Sequence, residues 1–359
     1  MLLKNKKTAT RYTEDTFINP KKVFMSTQLD NSSSLPFDTT EFESHLPQIY
    51  RVILNNFRKA AQTYVSFNIG FFFLLATEMF LFCSFMSFLS KPVFALSLGI
   101  LFLSGFSYFL LLFYFQAKKP EQLIQIKEQF IQSCRQHISL PPGEVQHHLS
   151  IADALNRLSS YLQDFESNFY KTPSFLAPIR QTISRFATYC YWEDVFKMKE
   201  ILLQTAIEEH LMQIRITPTD LEVHASLANT YVLLSKLYRG LLNYEKKKNQ
   251  FSAEERFRRT AQLAIEEFKI LNHYAPHDPW VHEQLAGGYK DLDMPLDEIA
   301  EIEILLKLKP QDKEILFRLG VLCFQQGQNA RGLQIYEELK QANYKRASDL
   351  ISSYGHTAL

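Results

Sequence analysis

The chain has 359 residues, with 39 Lys and Arg against 38 Asp and Glu, for a net charge of +1. That balance argues against a dedicated nucleic-acid binder, which needs a surplus of cations along one face. Cys83, Cys134, Cys190 and Cys323 have no paired spacing, so neither a disulfide framework nor a zinc knuckle is expected.

Residues 1–45 begin with Lys4, Lys6 and Lys7 and continue through Ser32, Ser33, Ser34, Thr39 and Thr40 with little periodic apolar content. They predict a disordered N-terminal segment, and Met25 offers an alternative start.

Residues 46–119 predict a transmembrane hairpin. From about Val65 to Leu89, and again from Val93 to Phe115, the chain is almost continuously apolar and aromatic. Each run exceeds the ~20 residues that cross the hydrocarbon core as a helix. Only Ser90, Lys91 and Pro92 separate them, so the helices return antiparallel. The runs come as a pair and well into the chain, which excludes a cleaved signal peptide. Arg51, Arg58 and Lys59 precede the first span and Lys118, Lys119 and Lys127 follow the second, whereas the turn offers Lys91 alone. By the positive-inside rule both termini face the cytoplasm.

Glu78 falls near the middle of the first span. Counting outward from Lys91 places it level with Ser104 and within a turn of Ser107. A protonated carboxyl bonded to those hydroxyls is the expected arrangement, with a proton or ion pathway through oligomers as the alternative. Gly99, Ser104, Gly105 and Ser107 are expected to let the spans approach closely.

Residues 120–203 predict a helical region, with degenerate repeats as an alternative. Helices are expected at 120–138, 147–170, 174–190 and 192–216, punctuated by Pro141, Pro142, Gly143 and Pro173. Phe175, Ile179, Ile183 and Phe186 recur on one helical face, and His147 with His148 at a helix start is read as solvated.

Residues 204–359 form a repeat domain. Pro276 and Pro310 lie 34 residues apart, each followed two residues on by Asp278 or Asp312. Gln204–Tyr231 aligns without gaps on Gln262–Tyr289, pairing Ala206 with Ala264, Glu209 with Glu267, Pro218 with Pro276 and His224 with His282. The same alignment pairs Leu227-Ala228 with Leu285-Ala286, and Tyr231 with Tyr289. Its offset of 58 is one 34-residue period plus an insertion of 24. A period of ~34 residues is that of a two-helix unit that buries its apolar face only by stacking on copies of itself.

These residues resemble the tetratricopeptide-repeat family. Leu227, Ala228 and Tyr231, with Ala264, Phe268 and Pro276, match the family pattern in the first complete unit. The next unit has Leu285, Ala286, Tyr289 and Pro310, but Glu298 stands where a small residue is expected; the last has Leu319, Gly320, Gly332 and Tyr336. The resemblance implies a protein or peptide partner held along the first helices of successive units. The positions it marks are Glu222, Ala225, Asn229, Trp280, Glu283, Lys290, Asp291, Phe317, Val321 and Phe324. Asn229 matches an asparagine of the family's carboxylate clamp, but Ala225 stands where its lysine would be.

The insertion continues the apolar stripe of the first unit through Leu233, Leu234, Leu237, Tyr238, Leu241 and Leu242, and Ser252 with Glu255 reads as a capping box for the return helix. A lengthened helical hairpin follows, with a basic tip of Lys246, Lys247, Lys248, Arg256, Arg258 and Arg259. That tip is read as solvated, with anionic lipid as the alternative partner.

No catalytic set emerges, and no cofactor or metal is expected. His273, His277 and His282 with Asp278 straddle a turn and are not read as ligands. The fold expected is all-α: a two-helix transmembrane hairpin followed by a tetratricopeptide-like α-solenoid with one lengthened helical hairpin. The function expected is a non-catalytic, membrane-anchored scaffold in a bacterial cell membrane. Two alternatives stand beside it. The hydrophobic hairpin also resembles the inclusion-membrane proteins of chlamydial bacteria, which would place the chain in a host vacuole membrane and have it recruit host factors. The other is a membrane enzyme or ion pathway using Glu78.

Overall fold

The computed structural model describes residues 39–86, 88, 90–138, 145–162, 180–242, 247–352 and 354. Residues 1–38 of the N-terminal segment, Lys246, and Phe175 and Ile179 lie outside them, as do the side chains of Ile183, Lys247 and Lys248. The described residues are helical, in eleven helices: α1 (Thr39–Phe85), α2 (Lys91–His137), α3 (Val145–Tyr161), α4 (Arg180–Ile216), α5 (Leu221–Leu242), α6 (Lys247–Tyr274), α7 (Pro279–Asp291), α8 (Pro295–Leu308), α9 (Lys313–Gln325), α10 (Asn329–Gln341) and α11 (Ala347–Ser352). The all-helical fold, with two long apolar helices followed by tetratricopeptide-like repeats, is the one the sequence predicts. The chain divides into two compact bodies, Phe37–Ile216 and Thr217–Leu359.

In the first body, α1 and α2 are 47 residues each, or about 70 Å at the usual helical rise. That is more than twice the ~30 Å hydrocarbon core of a bilayer. Burial changes sharply along both. Phe42, Ile53, Phe57 and Val65 on α1, and Leu123, Phe130 and Cys134 on α2, are buried with Leu155 and Leu158 of α3 and Met198 and Leu202 of α4. Beyond that core the two helices expose their aromatics: Phe80 is 70% exposed and Phe102 74%.

Two predicted boundaries are corrected. The second span and the helix expected at 120–138 are one helix, because Pro120 forfeits one helical hydrogen bond without ending α2. The helices expected at 174–190 and 192–216 are likewise continuous within α4 from Arg180, since no proline or glycine interrupts that stretch.

In the second body, each repeat starts in the same way. The Asp220, Asp278 and Asp312 carboxylates accept from the backbone N–H groups of Glu222, Trp280 and Glu314 at 2.9–3.0 Å. The Pro-x-Asp spacing is therefore a turn plus an N-cap. In the α7–α8 and α9–α10 units the two helices are joined by a residue of positive φ, Asp293 at 59° and Gly327 at 72°. The next residue closes the turn, Met294 N–H on the Tyr289 carbonyl and Gln328 N–H on that of Cys323. Ser252 lies inside α6, which starts at Lys247. The return helix thus begins before the predicted capping box, its inner face held by the buried Ala253 and Phe257.

Candidate functional site

The first helices of the second body carry the marked groove positions, and the fold sorts them. Glu222, Asn229, Glu283 and Lys290 are exposed. Trp280 is half-buried, its ring edge-on to Phe268 at 5.7 Å between centroids. Asp291 at the end of α7 receives the Arg239 Nη1 of α5 at 2.6 Å, and the guanidinium lies 5.0 Å from the Phe257 ring. Ala225 is buried and Val321 half-buried.

Two positions are corrected. Phe324 is fully buried: its ring fills the space that a Cβ on Gly332 would need, 2.5 Å away, and meets Tyr354 edge-on at 5.5 Å. It belongs to the core, not to an open groove. Phe317 is 8% exposed, covered by the Tyr344 ring and by the Arg346 guanidinium 4.4 Å from its centroid. Arg346 is held there by Glu314, at 2.7 Å. Beside them, Leu350 of α11 packs against the α9 glycine Gly320.

Glu298, at the small-residue position, is buried as well. Its carboxylate accepts from Arg318 Nη2 at 2.6 Å and Nε at 3.1 Å, and Arg318 also reaches the Ala286 carbonyl.

A second constellation escaped the sequence reading. His224 of α5 places Nδ1 2.6 Å from Glu267 of α6 and Nε2 3.0 Å from the Pro218 carbonyl. One unit on, His282 of α7 places Nδ1 2.6 Å from Glu301 of α8 and Nε2 2.9 Å from the Pro276 carbonyl. Burial disfavours the charged imidazole of His224, but Glu267 and the Pro218 carbonyl outweigh it and raise its pKa above the usual histidine value. In the first body, His148 of α3 likewise meets Glu209 of α4 at 2.6 Å, and Arg135 shares that carboxylate.

His147 is buried and His148 paired, which corrects their solvated reading. The signal was present in the chain. Pro142, His148, Ile151 and Ala152 repeat the sequence spacing of Pro218, His224, Leu227 and Ala228. His273 and His277 are exposed, apart from the paired His282.

Within the apolar hairpin, Ser104 donates to Glu78 Oε1 at 2.9 Å, while Glu78 Oε2 is buried without a partner among the described residues. The bond is to Ser104; none joins Glu78 to Ser107. One polar layer further along, the Tyr108 hydroxyl donates to Asn68 at 3.0 Å, a pair the sequence reading did not single out. A Cβ on Gly99 or Gly105 would meet nothing within 4 Å, so these glycines do not mediate the approach of the two helices. At the basic tip, Arg258 pairs with Glu254, Arg256 lies 5.9 Å from the Tyr238 ring, and Arg259 is exposed.

No family model matches the chain, and no curated protein matches it. Among solved structures it is similar to a thermophilic tetratricopeptide-repeat protein of Thermus thermophilus, at 18% identity, covering 58% of this chain and 99% of that one with a TM-score of 0.30. It is also similar to MamA from Desulfovibrio magneticus, at 14% identity, covering 40% of this chain and 88% of that one with a TM-score of 0.24. The class of the second body, a tetratricopeptide-like helical repeat, rests on its own helix register, turns and small-residue contacts.

Proposed function

We propose that this chain is a non-catalytic scaffold, anchored in a membrane by α1 and α2, that binds a protein or peptide along the first helices of its repeats. The observation that carries the proposal is the polarity of the exposed groove positions on one helix. Glu283 and Lys290 are exposed on α7, the helix that opens with the half-buried Trp280. Such a line offers charge and aromatic surface to an extended or helical ligand without an enclosed pocket for chemistry.

The anchor is supported by the uncovered apolar halves of α1 and α2. A monomer in water rarely exposes an apolar surface of that extent. Lysine and arginine at the two outer ends of the hairpin favour both termini on the cytoplasmic side. The membrane in question is proposed as a bacterial cell membrane. The likeness to inclusion-membrane proteins rests on hydropathy shape alone, and the comparisons lend it no support.

A photocrosslinking residue placed at Glu283 in the full chain, in native membranes, tests the groove against one placed at Leu263 of α6. A discrete adduct from Glu283 that is absent from Leu263 and weakened by Trp280→Ala supports the reading. Equal crosslinking from both positions defeats it.

A further inference from the structure

The two clamps of the second body share a geometry that a neutral histidine beside a carboxylate cannot satisfy. A backbone carbonyl only accepts, so Nε2 of His224 and of His282 must each carry a proton toward Pro218 and Pro276. If that were the ring's sole proton, the Nδ1 lone pair would face an ionised carboxylate at 2.6 Å. The His224–Glu267 clamp, whose histidine pKa is shifted upward, therefore holds one more proton, on the ring or on the carboxyl. The count is the same for either placement.

His148 differs. A neutral ring with its proton on Nδ1 makes its bond to Glu209, so that pair requires no additional proton.

The last unit supplies an internal contrast. Thirty-four residues beyond His282 stands Leu316, and 34 beyond Glu301 stands Ile335, both buried in one apolar cluster. Where the histidine is absent, so is its carboxylate. The α9–α10 unit closes without a proton.

We propose that the His224–Glu267 clamp is a pH-sensitive device: helices α5 and α6 close with uptake of one proton, so they tighten at mildly acidic pH and loosen as pH rises, while α9 and α10, where the pair is apolar, lack it. Other charged groups face these clamps. Asp220, in the turn before α5, adds to the pull of Glu267 on His224. Glu267 is also felt by Tyr231 of α5, and Glu301 by Tyr289 of α7. Glu266 and Lys269 of α6 and Asp297 of α8 bear on Tyr289 too. Arg135 shares Glu209 with His148 in the first body, but among the described residues no arginine pairs with Glu267 or Glu301.

The sign follows from the unfolded chain. There histidine titrates near 6.5 and glutamate near 4.3, so above about pH 6.5 an unfolded pair carries one proton fewer than a closed clamp. Stability from the clamp is complete below about 6.5 and is lost as pH rises through the native value. In that window each retained proton is worth up to about tenfold in the closing constant per pH unit. In the proposed scaffold, partner binding on α5 would follow the same pH dependence. That consequence rests on the groove reading, whereas the clamp itself does not.

Hydrogen–deuterium exchange of the full chain in lipid nanodiscs, corrected for the intrinsic rate at each pH, tests the device. Between about pH 6 and about pH 8 the amides of α5–α6 should lose protection by about tenfold relative to those of α9–α10. Importing the last unit's apolar pair, as His224→Leu with Glu267→Ile, should abolish the difference. Parallel pH dependence of α5–α6 and α9–α10 in the unsubstituted chain would overturn the proposal. So would a pH response that persists in the double variant. If that variant fails to fold, the comparison of the two regions in the unsubstituted chain decides alone.

Discussion

Arg318 of α9 grips the carboxylate of Glu298 on α8 at 2.6 Å, joining two successive repeat units through a glutamate that takes a small residue's place. Glu298 is 3% exposed. Its carboxylate is tolerated because Arg318 neutralises it while bonding the Ala286 carbonyl of the unit before. Removing one partner of such a pair leaves a buried charge without compensation. Arg318→Met should therefore cost about 3–5 kcal/mol. Arg318→Met with Glu298→Ala should recover most of that loss. Urea unfolding of the detergent-solubilised chain measures both, and equal losses in the single and double variants would show that the pair is not coupled.

Trp280 and Phe324 should separate by stability. Phe324→Ala opens a cavity against Gly332 and should cost ~3–5 kcal/mol. Trp280→Ala should cost clearly less, since one side of its ring is already open, and should weaken partner association. Gly332→Ala should also destabilise, because the added methyl meets the Phe324 ring at 2.5 Å. Thermal unfolding of the three variants checks the ranking, and a Trp280→Ala loss as large as that of Phe324→Ala would place Trp280 in the core.

Glu78→Gln should leave insertion and folding intact. An amide still accepts from the Ser104 hydroxyl, and it brings no charge into the apolar hairpin. Accessibility tags at Ser34 and Ser353 in intact membranes should report the same face for both variant and unsubstituted chain. Tags on opposite faces would break the two-span topology.

The first body should respond to acid in the opposite sense from the His224–Glu267 clamp. Burial of His210 on α4 pushes its pKa down to about 3, so its ring stays neutral in the fold and is charged more readily when unfolded. A depressed histidine pKa gives stability present above the unfolded value near 6.5 and lost as pH falls toward about 3. Circular dichroism across that range should show His210→Gln with a shallower loss of stability per pH unit than the unsubstituted chain. An identical slope would assign the acid sensitivity elsewhere.

The 34-residue repeat register and the apolar hairpin were legible in the sequence alone. Both are local periodicities: a proline and aspartate that stop one helix and cap the next, and two long apolar runs too close together for anything but a tight return. Counting from the tight return also paired Glu78 with Ser104, but outside that hairpin the positions of opposite helices that must meet were not legible in that way. Phe324 reads as a groove residue until Gly332 and Tyr354, from other parts of the chain, are seen to enclose it. Glu298 reads as a defect until Arg318, 20 residues on, reaches it. His224 and Glu267 both stood in the internal alignment, yet only the hairpin fold brings them to 2.6 Å across 43 residues. Periodicity reports which face of a helix is apolar. The partner on that face is decided by packing between helices, where burial gives a charge or a ring its energetic weight.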